Sequence, residues 1–133
     1  MAFDIEKIEI NAAFYEIFES VFNEDFFSIM ASLRRSPRIA RLSKSKEEDL
    51  TEADKEELLN ANVELGAKMR KYAPRIAYVG SKLYKKQYNG SYSDYLSFLA
   101  ECDASAFMNA EIIAKLWEKI NIDQKVPESA KNA

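Results

Sequence analysis

The sequence predicts an all-α protein, a compact single domain of four to five helices around a long, proline-kinked central helix. Three observations predict it. Glycine and proline are scarce, three of each in 133 residues, which disfavours a turn-rich sandwich or barrel. Apolar residues make up 47%, enough for a core that needs no metal or disulfide staples. Apolar side chains also recur at i, i+3, i+4 spacing through most of the chain. The length suits one domain, placed at 1–122, with 123–133 as a flexible polar tail.

Residues 3–10 break the helical pattern. Phe3 and Ile5 alternate, as do Ile8 and Ile10, but the two pairs are out of phase. A short N-terminal strand, an extended arm and a helical start all fit. From Asn11 the periodicity is helical, with Phe14, Ile17, Phe18, Val21 and Phe22 on one face. Asn23 interrupts, and Phe26, Ile29, Met30 and Leu33 form a second stripe. Segment 34–46 is basic (Arg34, Arg35, Arg38, Arg41, Lys44, Lys46) and contains no acid. Pro37 argues against an uninterrupted helix there, so it reads as an exposed loop. The stretch 47–57 answers with seven acids and one lysine.

A long helix is expected over 52–88, capped by Thr51 with Asp54 three residues on. Leu65, Met69, Tyr72, Ile76, Val79 and Leu83 recur in heptad-like order, with Gly66, Ala73, Ala77 and Gly80 beside them. The seam keeps phase across Pro74, which predicts a kink rather than a break. The outer face is basic: Lys68, Arg70, Lys71, Arg75, Lys82, Lys85 and Lys86. Asn89-Gly90 is the closing turn. A shorter helix begins at Ser91 or Ser93, with Asp94 in its first turn. Tyr92, Tyr95, Leu96, Phe98, Leu99 and Cys102 cover a wide face of it. Asp103 and Ser105 mark a break, and Asn109 caps a last helix carrying Ile112, Ile113, Leu116, Trp117 and Ile120.

Composition excludes several functions. The net charge is −3, against the basic excess of a dedicated nucleic-acid binder. Histidine is absent, which removes the usual general base at neutral pH and the commonest zinc ligand. Cys102 is the only cysteine, so no internal disulfide forms and a reducing, cytoplasmic setting is expected. It reads as a small buried filler. No apolar run reaches the ~20 residues of a membrane span. The phosphate-loop, dinucleotide and nucleophile-elbow motifs are missing. An enzyme is not expected, and no cofactor or metal is implied.

Two kinds of surface remain. The heptad-like seam serves either a homo-oligomer or an intramolecular contact with the N-terminal helices, and a single domain favours the second. The aromatic face over 92–120 is mostly core, but it exceeds what two short helices need. Its surplus is assigned to a partner surface: Tyr92, Tyr95, Phe98, Leu99 and Phe107, with Trp117 in the core. An alternative is a small helical nucleic-acid-binding regulator using 34–46 and the basic face of the long helix. Segment 34–46 lacks the interleaved aromatics of single-strand binders.

The order Arg75-Ile76-Ala77-Tyr78-Val79, a polar turn, Tyr95-Leu96-Ser97-Phe98-Leu99, an acidic break, Phe107 and a helix closing on Leu116-Trp117 resembles the small tail assembly chaperones of long-tailed phages of Gram-positive bacteria. The resemblance covers about 75–121. It implies a non-enzymatic protein that coats the aggregation-prone tape-measure protein during tail assembly, in the host cytoplasm. The family often opens with a short β-hairpin, for which 3–10 is the sole candidate here. Segment 34–46 has no counterpart.

Overall fold

The computed structural model describes residues 3–124, and among them the secondary structure is entirely helical. The helices are α1 (Ala13–Phe22), α2 (Phe26–Ser32), α3 (Pro37–Lys44), α4 (Glu52–Tyr84), α5 (Tyr92–Glu101) and α6 (Ala110–Gln124), with 3-10 turns at Ile5–Lys7 and Glu47–Asp49. Most starts follow from a short polar side chain that accepts an orphan backbone N–H. Asp25 caps α2, Ser36 caps α3 and Ser91 caps α5. Thr51 and Asp54 form a reciprocal capping box at α4. Asn109 accepts from Glu111 N–H at 2.8 Å ahead of α6.

The C-terminal half of α4 is the spine of the core. Tyr72, Ala73, Ile76, Ala77, Tyr78, Val79, Gly80 and Leu83 are all buried there. Helix α1 brings Phe14 and Phe18, α2 brings Phe26, and α6 brings Leu116 and Ile120, each under 2% exposed. Each such side chain contributes roughly 1.5–3 kcal/mol by leaving water. The N-terminal half of α4 is different. Leu58 and Leu65 are only half-buried, and the apolar cover it receives comes from Ile39 and Leu42 of α3.

Several expectations change. The described residues form six α-helices rather than four to five, because 34–46 is not a loop. Pro37 occupies the first turn of α3, where a missing N–H costs nothing, instead of preventing a helix. Residues 3–10 make no strand. Asp4 caps a single 3-10 turn, and Ile8 is then buried against α4. The chain crosses α4 at Gly80, where Glu9 N–H donates to the Gly80 carbonyl at 3.0 Å. A Cβ on Gly80 would stand 2.4 Å from Ile8 Cγ2, so glycine is what lets the two backbones meet.

Helix α4 runs unbroken through Pro74 and stops at Tyr84, four residues short of the expected 88. Lys86 takes a left-handed conformation (φ 58°), and Gln87 N–H closes on the Lys82 carbonyl at 2.9 Å. A lysine in a place usually held by glycine hides that stop from a sequence reading. At the other end, α6 extends to Gln124, past the expected limit at 122. The rest of the expected tail, 125–133, lies outside the described residues.

Candidate docking site

Helix α5 is held to α4 by one polar lock. The Tyr78 hydroxyl donates to Asp94 Oδ2 at 2.6 Å and accepts from Ser91 N–H at 3.3 Å. Lys82 Nζ adds an ion pair to the same carboxylate oxygen at 3.0 Å. These hydrogen bonds, from Tyr78 first and Lys82 next, hold the Asp94 carboxyl below the usual carboxylate range. Burial and the Asp94 contact push the Tyr78 phenol up, so it stays protonated as the donor.

The lock sets which face of α5 turns inward. Tyr95 is 5% exposed, in edge contact with Phe22 at 4.9 Å and Tyr78 at 5.4 Å. It belongs to the core, and its assignment to an open partner surface is corrected: three residues on from Tyr92, it points under the helix while Tyr92 points out. Phe98 and Leu99 are half-buried and pack on the core. Phe107 is half-buried too, its ring 5.3 Å from that of Phe3. Tyr92 is 51% exposed and Leu96, one turn on, 50%. Trp117 sits in the core as expected, its indole N–H donating to the Met69 carbonyl at 2.9 Å.

Beside α5 lies a groove of about 310 Å³, lined by Phe3, Phe98 and Cys102 with Asp4, Lys7, Ser81, Lys85 and Glu101. Phe3 meets Phe98 edge-on at 6.4 Å and so forms one apolar wall. Its role is not visible in sequence, because residue 3 reaches α5 only once the N-terminal arm has crossed α4. Cys102 donates its thiol to the Phe98 carbonyl at 3.3 Å, and burial pushes its pKa up. Cys102 is thus half-buried on the groove wall rather than fully buried. Leu96, which the sequence put on the aromatic face without a partner role, is the more open residue; its i, i+4 spacing from Tyr92 was the available signal.

Two side chains of the basic segment, Arg35 and Arg38, are tied to α4, while Arg34, Arg41, Lys44 and Lys46 are exposed. Arg38 Nε donates to Glu57 Oε2 at 2.9 Å, and its Nη2 pairs with Asp54 at 3.1 Å. The Glu57 contact raises the Arg38 pKa and the Thr51 backbone contact chiefly lowers that of Asp54. Arg35 donates to Asn62 at 2.8 Å. On the expected basic face of α4, Arg75 is bonded to Glu24 and lies over the Phe22 and Tyr72 rings. Lys82 belongs to the α5 lock. Among the described residues no cluster of acids and cysteine has metal-ligand geometry, and no helix is long and apolar enough to cross a membrane. No known protein family matches the chain, and no curated protein or solved structure does either.

Proposed function

We propose that this protein is a non-enzymatic assembly chaperone that holds amphipathic helical segments of a phage tape-measure protein during tail morphogenesis. The observation that carries the reading is the outer face of α5, where Tyr92 and Leu96 stand half-exposed one turn apart; a different side of the same helix lines the groove walled by Phe3 and Phe98. A face of this kind accepts the apolar stripe of a helix, whose anchors recur at the same i, i+4 spacing. The groove rim carries both signs, Lys7 and Lys85 against Asp4 and Glu101, which suits a mixed-charge amphipathic segment. The resemblance of 75–121 to tail assembly chaperones supplies the identity of the partner. The site is small, and reversible micromolar binding is expected from it.

The test is titration of an amphipathic tape-measure segment against the protein and against Tyr92→Ser with Leu96→Ser. Both side chains are half in solvent, so the double variant should melt within a few degrees of the wild type while binding drops about tenfold or more. Undiminished binding would remove α5 from the site. Salt-dependent retention on DNA, with no binding to the tape-measure segment, would favour the nucleic-acid regulator instead.

A further inference from the structure

We propose that the N-terminal half of α4 is a self-recognition surface, pairing antiparallel with the same helix of a second copy. Glu52, Glu56, Leu59, Val63, Gly66 and Arg70 follow one another at 4-3-4-3-4 spacing, which places them on a single face. All six are exposed, Leu59 and Val63 at 62% each and Glu52 with 94% of its side chain in solvent. Helix α3 covers α4 elsewhere, through Ile39 and Leu42. The same face continues as Ala73, Ala77 and Gly80, and there the domain's own core covers it. A seam that is packed in one half of a helix is thus left open in the other.

The order of charges selects the occupant. The open seam is acidic at its start, apolar in the middle and basic at its end. Two copies running parallel would set Glu52 against Glu52 and Arg70 against Arg70. Two copies running antiparallel meet in layers of Glu52 with Arg70, Glu56 with Gly66 and Leu59 with Val63, each made twice about a two-fold axis. The apolar layers lie at the centre and the opposite charges at both ends. Glu56 and Arg70 make no ion pair among the described residues, and Glu52 reaches only Lys55 of its own helix, at 3.5 Å.

The overlap ends at the right place. Glu52 opens α4, and Arg70 is the last exposed seam residue before Ala73, which is 0% exposed. The shared stretch is about 27 Å long at 1.5 Å per residue, and the partner helix stops before it meets the packed half. Gly66 fits the same geometry. A Cβ there would find nothing within 4 Å inside the monomer, so the fold itself does not require the glycine, although glycine weakens a helix interior. Opposite Glu56 of the second copy it lets the helices approach. The interface is at the small end for specific association, on the order of 1,000 Å², so the dimer is weak and concentration-dependent.

The experiment is sedimentation equilibrium of the full chain from about 1 μM to 1 mM, where a weak dimer of this size should appear. Leu59→Gln with Val63→Gln should weaken association about tenfold or more. Arg70→Glu should weaken it as well, and Glu52→Lys with Glu56→Lys added to Arg70→Glu should restore it, because only the antiparallel arrangement regains opposite charges. Melting curves check the fold of each variant, and all five positions are exposed. A monomer throughout this range overturns the proposal. So does a dimer indifferent to Leu59 and Val63, or one that the charge reversal fails to restore.

Discussion

Tyr78 and Asp94 decide at the level of single residues how α5 sits. Tyr78→Phe removes the donor to Asp94 and the acceptor of Ser91 N–H, and should cost about 1–2 kcal/mol in a denaturant titration. The pH dependence has a definite sign. The Asp94 carboxyl is held low in the folded state, so its contribution is complete above the ordinary unfolded value of about 3.9 and is lost as pH falls through the lower folded value. The stability gap between wild type and Asp94→Ala should therefore be full at neutral pH and shrink below about pH 4. A gap that stays constant into acid would mean that the ionised carboxylate is not what Tyr78 and Lys82 recognise. Tyr78 stood out in the sequence only within the run Arg75 to Val79, and its hydroxyl partner lies sixteen residues on, across a turn whose geometry no periodicity encodes.

Two glycines of α4 make the same argument at the level of an element, with opposite outcomes. Gly66→Ala should raise the stability of the monomer by up to about 1 kcal/mol, since the helix gains propensity and nothing in its own chain crowds the added methyl. Gly80→Ala should lower it by about 1–3 kcal/mol, because the methyl must displace Ile8 and the arm that crosses there. Both have ordinary backbone angles, so the difference is packing alone. Thermal melts of the two variants would check it, and equal effects would show that the arm is not seated on α4. Sequence spacing put both glycines beside one seam and could not separate them, because what separates them is a distant segment. Helix α3 teaches the converse. Its arginines drew attention as a loop, while Ile39 and Leu42, three apart and buried, were the residues that made it an element. Changing Arg34, Arg35, Arg38 and Arg41 to Ser should alter stability little, as all four are exposed and the Arg38 pairs are surface ion pairs. Ile39→Ala with Leu42→Ala should instead free α3 to limited proteolysis.

Across the whole molecule, burial is divided unevenly along one helix. From Tyr72 to Leu83, α4 is enclosed by α1, α5, α6 and the N-terminal arm, and most of the fully buried side chains gather there. The heptad-like seam over 65–83 made this half legible, since regular apolar spacing is what a helix presents to a core. From Glu52 to Leu65 the same helix has α3 as its neighbour and two exposed apolar residues, Leu59 and Val63. Helical periodicity is blind to that difference, because it reports which face is apolar and not how much covers it. Local opening free energy follows the cover. Native-state hydrogen exchange should show amides of 76–83 exchanging only through global unfolding, with those of 53–64 and of α3 exchanging together through a cheaper opening. The measurement is exchange against denaturant concentration, which separates the two by their slopes. One common slope along all of α4 would mean that α3 binds the helix as firmly as the main core does. Raising the protein concentration supplies an internal control: if the open seam pairs with a second copy, protection should increase over 53–64 and stay unchanged over 76–83.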